Sequence, residues 1–151
     1  MQGRIARFAR HEGLTLGLLL ALACGQAAAA GCSREEAANA EKAAAAARDW
    51  DAMWDAFHRF SLCDDGGVGE GFSDSVAYLL ASRWDELHEL EHFAEANKAF
   101  RAFVLKHIDA TASEKDLRRI LEHTKECPGY ARPICREIES RARAALSELK
   151  E

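Results

Sequence analysis

Apolar side chains recur every three or four residues through most of the chain beyond residue 49. This spacing is typical of amphipathic helices, and no segment alternates apolar and polar residues over the length of a strand. The pattern therefore predicts an all-α fold, a small bundle of four or five helices. The side chains expected to face the core are Trp50, Met53, Trp54, Phe57, Phe60, Val76, Leu79, Leu80, Trp84, Leu87, Leu90, Phe93, Phe100, Phe103, Val104, Ile108, Leu117, Ile120, Leu121, Ile134, Ile138, Ala142, Ala145 and Leu149.

The first helix is expected to be long and continuous. Ser33, with Glu36 three residues later, has the pattern of a capping box, and residues 34–62 contain no Gly or Pro. Residues 37–47 are almost all alanine, which forms helices well but has little apolar surface to bury. We therefore expect this half of the helix to project from the bundle.

Helix-breaking residues predict the later boundaries. Four glycines within residues 63–71 predict a loop, after which Ser73 is expected to cap the next helix. The apolar stripe then rotates by about 100°, which predicts a break within residues 95–97. Pro128 is expected to end one helix, and Pro133 suits the first turn of the last one.

The first thirty residues have the order of regions that defines a secretory signal peptide. Arg4, Arg7 and Arg10 form a basic start, residues 14–23 are apolar, and residues 26–30 are mostly small. The apolar run is shorter than the roughly 20 residues that span a bilayer, and a short buried helix is the alternative. We divide the chain into a signal peptide at 1–30, an Ala-rich helical lead-in at 31–48 and a helical domain at 49–151.

Charge bears on the partners that the exported chain could bind. The net charge is −5, and removing residues 1–30 takes away three arginines and Glu12, which leaves −7. An acidic surface disfavours nucleic acid and anionic lipid and attracts a basic protein. The simpler interpretation is that moderate acidity only keeps a small protein soluble. We expect a basic envelope or secreted partner, no nucleic acid and no transmembrane span in the mature chain.

Four cysteines follow the predicted signal peptide, and an even number suits disulfides in an exported protein. Depending on whether the break at residues 95–97 reverses the chain, Cys63 could pair with Cys127 or Cys135, or Cys127 could pair with Cys135. Cys32 precedes a long helix and is expected to stay unpaired. Lipid attachment at Cys24 or Cys32 is an alternative, although leucine is missing three residues before each.

Residues 88–92 read H-E-L-E-H, which fits the H-E-x-x-H signature of zinc-dependent proteases. In that chemistry His88 and His92 would bind zinc from one helical face, and Glu89 would act as general base. The helical register places both histidines at the solvent edge of their helix. Glu95 and Lys98 stand where the longer form of the signature has Gly and a third His.

Acidic residues bracket the four glycines of residues 63–71. They are Asp64, Asp65, Glu70 and Asp74. Oxygen ligands in a flexible loop suit Ca²⁺, but the order of acidic residues in a standard calcium loop is absent. We expect this loop to contact a partner protein.

These observations favour an exported, periplasmic or secreted protein that acts without catalysis, as a binding, inhibitor or adaptor module. We expect no enzyme activity and no cofactor. A metal-binding protein or zinc hydrolase that uses the H-E-L-E-H segment is the alternative.

Overall fold

Seven α-helices form the part of the chain that the computed structural model describes, residues 31–151. Residues 31–151 contain no β-strand, so the predicted all-α class is confirmed, while the number of helices exceeds the predicted four or five. The predicted signal peptide lies outside the described residues. None of these seven helices combines the length and apolar character that crossing a bilayer requires. The helices are α1 (Arg34–Ala46), α2 (Trp50–Phe60), α3 (Gly66–Ser82), α4 (Leu87–Ala96), α5 (Lys98–Lys106), α6 (Glu114–Lys125) and α7 (Arg132–Glu148).

The additional helices arise because polar side chains start new helices where no Gly or Pro marks a boundary. Asp49 accepts a hydrogen bond from the Ala52 amide at 2.7 Å, which caps α2 and divides the expected first helix. Asn97 accepts from two amides of α5, so the break predicted within residues 95–97 is confirmed. A further break at Arg83, followed by a short 3₁₀ turn, separates α3 from α4.

Residues 63–71 were expected to form a loop, with Ser73 as the cap of the helix that follows. This prediction was wrong, because the helix begins at Gly66. Asp65 is the N-cap of α3, and its side chain accepts from the Gly66 amide at 2.8 Å. Gly66 has a φ of 51°, a left-handed conformation that favours glycine at the helix start. Ser73 therefore lies inside α3 and is 1% exposed.

One face of α3 carries small residues where it packs against α1. Gly67, Gly71 and Ser75 are spaced four residues apart, so they share one face of α3. A Cβ atom at Gly71 would lie 3.4 Å from the Cβ of Ala44, and the Ser75 hydroxyl donates to the Ala44 carbonyl oxygen at 2.6 Å. Small residues on both helices thus let the two backbones approach closely.

The Ala-rich helix α1 belongs to the hydrophobic core, so the expectation that it projects was wrong. Ala40, Ala44 and Ala47 are each 0% exposed and join the same cluster of buried residues as the later helices. Alanine buries little area by itself, but it can contact a partner helix that presents glycine and serine. The prediction failed because the surface that covers the small alanine side chains of α1 lies in a different helix, α3.

Aromatic side chains fill the centre of the core. Phe57 and Phe100 meet edge to face with ring centroids 5.4 Å apart, and Phe72 meets Phe103 at 5.0 Å. Most residues that were predicted to face the core are buried, and Trp54, Trp84, Phe93 and Leu121 are half-buried. Leu149 was predicted inward but is 43% exposed, because it lies beyond the end of α7.

Two disulfides close the fold. Cys127 pairs with Cys135, which is one of the alternatives left open above. Cys32 pairs with Cys63, so the expectation that Cys32 is unpaired was wrong, and Cys63 bonds to neither of its proposed partners. The break between α1 and α2 turns the chain back, which brings the start of α1 beside the end of α2 with Cα atoms 4.8 Å apart.

The close approach of α1 and α3 predicts a sharp size limit at Gly71. We expect Gly71→Leu to lower the free energy of unfolding by about 1–3 kcal/mol, because the side chain must displace Ala44. Gly67→Ala is the matched control, since its Cβ would meet only the flexible end of Glu41 at 3.7 Å. Higher helix propensity should make that variant more stable by up to about 1 kcal/mol. Urea unfolding of both variants measures the difference.

The Cys32–Cys63 bridge closes a separation of 31 residues that includes α1 and α2. We expect Cys32→Ser with Cys63→Ser to lower the free energy of unfolding by about 2–4 kcal/mol, because the unfolded chain gains freedom. Thermal unfolding followed by circular dichroism measures the loss. An unchanged melting temperature would show that α1 is held by packing alone.

Candidate functional site

An open groove of about 310 Å³ lies between the start of α3 and the end of α5. We call it the acidic groove. Three of the four acidic residues that were expected to contact a partner line it, namely Asp64, Asp65 and Glu70. Asp74 is exposed on α3 and does not line the groove. The other polar lining residues are Ser73, Lys106, His107, Asp109 and Thr111.

Four polar side chains form a hydrogen-bonded chain at the floor of the acidic groove. His107 Nε2 lies 3.1 Å from Asp64 Oδ2, and His107 Nδ1 lies 3.0 Å from Ser73 Oγ. Ser73 Oγ also lies 2.8 Å from Asp109 Oδ2. When neutral His107 donates from Nε2 to Asp64, the single Ser73 proton goes either to His107 Nδ1 or to Asp109. This hydrogen-bonded network connects the segment between α2 and α3, the middle of α3 and the turn after α5, so it fixes these segments relative to one another.

Local structure holds three of these four hydrogen-bonded side chains in place. Asp64 directly follows Cys63, which the disulfide ties to Cys32. His107 is the C-cap of α5, where its backbone amide reaches back to the last turn of the helix. Asp109 Oδ1 accepts hydrogen bonds from both the backbone amide and the hydroxyl of Thr111, at 2.8 and 2.5 Å. Asp64, His107 and Asp109 are therefore each positioned by contacts within their own segment, in addition to the hydrogen bonds that join them.

Burial and charge act in opposite directions on His107. Burial lowers the pKa of His107, while the neighbouring carboxylates of Asp64 and Asp109 partly oppose this effect. For Asp109, burial alone would raise the pKa, but hydrogen bonds from Thr111 and Ser73 outweigh it and the pKa is lowered. His107 is thus a buried group that takes up its second ring proton only in acid.

Ser73, His107 and Asp64 have the composition of a hydrolytic triad, but their geometry gives them a different role. Ser73 and His107 are each 1% exposed, and the carboxylate of Asp109, 2.8 Å from Ser73 Oγ, competes with His107 for the hydroxyl proton. A nucleophile must reach a substrate and transfer its proton to the base. In this structure the four hydrogen-bonded side chains lie beneath the acidic groove and support it.

Negative charge predominates at the surface of the acidic groove. Lys106 Nζ contacts Asp64 Oδ2 at 2.8 Å, and its side chain is 60% exposed. Among residues 31–151, no basic group forms an ion pair with Asp65 or Glu70. Asp64 Oδ1 is buried without a hydrogen-bond partner among the described residues, while Oδ2 of the same carboxylate contacts Lys106.

The H-E-L-E-H segment lies on α4, as the helical reading predicted. His88 and His92 are exposed, and Glu89 is half-buried between them. Together with Asp51 and Phe93 they line a second open groove of about 390 Å³. Within the described residues, no group of three or more His, Cys, Asp or Glu side chains is arranged to hold a metal ion, which applies to this segment and to the acidic groove alike.

Sequence reasoning missed the two most deeply buried side chains of this hydrogen-bonded network, Ser73 and His107. His107 was not among the predicted site residues, and Ser73 was expected only to cap a helix. A signal was present in the register, because His107 falls seven residues after Phe100 on the apolar face of its helix, and Ser73 falls three before Val76. A polar residue on an apolar face needs a partner, but the sequence gives no indication that the partner lies 34 residues away.

The environment of His107 predicts a loss of stability in acid. Because its pKa is lowered in the folded protein, folding favours the neutral ring. The stability contributed by neutral His107 is fully present above the pKa of histidine in the unfolded chain, about 6.5. It is lost as pH falls through the lower pKa of His107 in the folded protein. We expect His107→Gln to flatten the decline in unfolding free energy between neutral pH and pH 5, measured by urea unfolding.

The exposed His88 provides the control for this experiment. His88→Gln removes a histidine from the surface of α4 and should leave the pH dependence of stability as it is in the unchanged protein. An equal flattening in both variants would contradict the assignment to His107.

Comparison of the chain with protein-family models, with curated proteins and with solved structures finds no match. The chemistry of its surface is therefore the basis for a proposed function.

Proposed function

We propose that this chain is an exported, non-catalytic binding module that receives a lysine or arginine side chain of a partner protein in the acidic groove. The observation that carries the proposal is the set of carboxylates lining one groove, Asp64, Asp65, Glu70 and Asp109, with Lys106 as the one lysine or arginine among the described residues that line it. A cationic group entering the groove gains attraction from several carboxylates at once.

The groove suits a side chain better than a large ligand. Its volume of about 310 Å³ is at the lower end of the range for binding pockets, and it is open to solvent. Lys106 occupies the edge, with most of its side chain exposed. A partner cation that displaces the Lys106 ammonium takes over its contact with Asp64 Oδ2, which keeps this carboxylate, 10% exposed, paired with a positive charge.

The buried chain beneath the groove supports this function by holding the carboxylates in place. Asp64 is fixed through His107, and Asp109 through Ser73 and Thr111. Groups that are already ordered lose less conformational freedom when a partner binds. The part of the proposal that concerns export is supported by the two disulfides, which persist in oxidising compartments.

Binding of a labelled hexalysine peptide tests the proposal. We expect Asp65→Asn with Glu70→Gln to weaken the peptide's Kd by about 5-fold at low ionic strength, because two of the groove's charges are lost. Asn at position 65 keeps the oxygen that accepts from the Gly66 amide and caps α3, and Glu70 is exposed and forms no ion pair among residues 31–151, so the change should leave folding intact. Fluorescence anisotropy measures the affinity, and the effect should shrink as salt is added.

Glu148→Gln with Glu151→Gln is the matched control. It changes the net charge by the same amount at the end of α7, outside the groove. If the control weakens peptide binding as much as the groove variant does, the peptide responds to net charge alone and the proposed site is wrong.

A further inference from the structure

A second charged pocket, of about 240 Å³, surrounds the Cys127–Cys135 disulfide. We call it the cationic pocket. Both cysteines line it, together with the basic residues Lys125, Arg132 and Arg136. The disulfide thus lies in an open pocket whose charge is opposite to that of the protein as a whole.

The positive charge of this pocket is not neutralised by neighbouring carboxylates. Within residues 31–151, no acidic group forms an ion pair with Lys125, Arg132 or Arg136. Glu139 also lines the pocket, but it bonds to Arg143 at 2.6 Å. The pocket therefore attracts small anions to the sulfur atoms at its wall.

The two sulfurs of this disulfide have different surroundings. Cys127 is half-buried in the connection after α6, whereas Cys135 is 3% exposed in the first turn of the 17-residue helix α7. A thiolate at the start of a helix is stabilised by the helix dipole and by nearby guanidinium groups. Cys127 is thus the more accessible sulfur, and Cys135 is the better leaving group.

We propose that Cys127–Cys135 is a thiol-exchange site selective for anionic thiols. The thiolate of the incoming thiol forms a new bond to Cys127 Sγ, and the bond between Cys127 and Cys135 breaks. Its electron pair stays on Cys135, which leaves as a thiolate next to Arg132 and Arg136. The product is a mixed disulfide on Cys127 and a free thiolate on Cys135, with no net oxidation or reduction.

The Cys32–Cys63 disulfide provides an internal comparison. Cys32 is half-buried, as Cys127 is, and Cys63 is 6% exposed, so the two bridges are similarly buried and differ in the charge near them: Cys63 is followed directly by Asp64 and Asp65. An approaching anionic thiolate meets negative charge there, and so it should react more slowly than at the cationic pocket. The same chain therefore holds one disulfide that admits anionic thiols and one that repels them.

The exchange rates of two small thiols with opposite charge test the proposal. The oxidised protein is treated with 2-mercaptoethanesulfonate or with cysteamine, and each rate is divided by the thiolate concentration. We expect the anionic thiol to react about 10-fold faster at low ionic strength, with the preference falling as salt is added. Acid quenching, alkylation of free thiols and peptide mass mapping should place the adduct on Cys127 and the alkyl group on Cys135.

Charge variants separate the pocket from the net charge of the protein. Arg132→Gln with Arg136→Gln should remove the preference for the anionic thiol. Arg141→Gln with Lys150→Gln changes the net charge equally at residues that do not line the cationic pocket, and should leave the preference intact.

Three results would overturn the proposal. They are equal normalised rates for the two thiols in the unchanged protein, a preference that survives the loss of both pocket arginines, and an adduct found first on Cys32 or Cys63. The salt dependence in the unchanged protein decides the matter without any variant, in case the arginine variants do not fold.

Discussion

The contact between α1 and α3 brings two backbones together where side chains would normally keep them apart. Ala44 of α1 meets Gly71 and Ser75 of α3: a Cβ atom at Gly71 would lie 3.4 Å from the Ala44 Cβ, and the Ser75 hydroxyl donates to the Ala44 carbonyl oxygen at 2.6 Å. Glycine in a helix interior costs up to about 1 kcal/mol relative to alanine. Close packing over several turns offsets that cost, because each atom of the two faces gains neighbours that a looser interface would lose.

Much of the remaining structure depends on where this contact places the start of α3. It sets Asp64 and Asp65 beside the end of α5, and the Cys32–Cys63 bridge holds the same corner covalently. The hydrogen bonds that link Asp64, His107, Ser73 and Asp109 can form only if α2, α3 and α5 meet at this corner. A polar network inside a small helical protein thus stabilises one arrangement of its helices, and it also orders the carboxylates of the acidic groove.

The two charged pockets are the basis of the two functions proposed for this protein. The acidic groove is supported by a buried network and suits a partner cation, whereas the cationic pocket surrounds a disulfide and suits a small anionic thiol. Both are built next to covalent bridges, where the backbone is least free to move. Since no ion pair joins Lys125, Arg132 or Arg136 to a carboxylate in the described residues, their charge is available to a ligand.

The sequence by itself determined the helical class, most of the core positions and the break at Asn97, because these follow from residue spacing along one helix. It also brought Asp64, Asp65 and Glu70 together as candidate contacts, since they are neighbours in the chain. Only the tertiary structure decided that the Ala-rich and Gly-rich segments pack together and that His107 joins Ser73. Those partners lie about thirty residues apart, and a periodic pattern describes one face of a helix without specifying which other face will cover it.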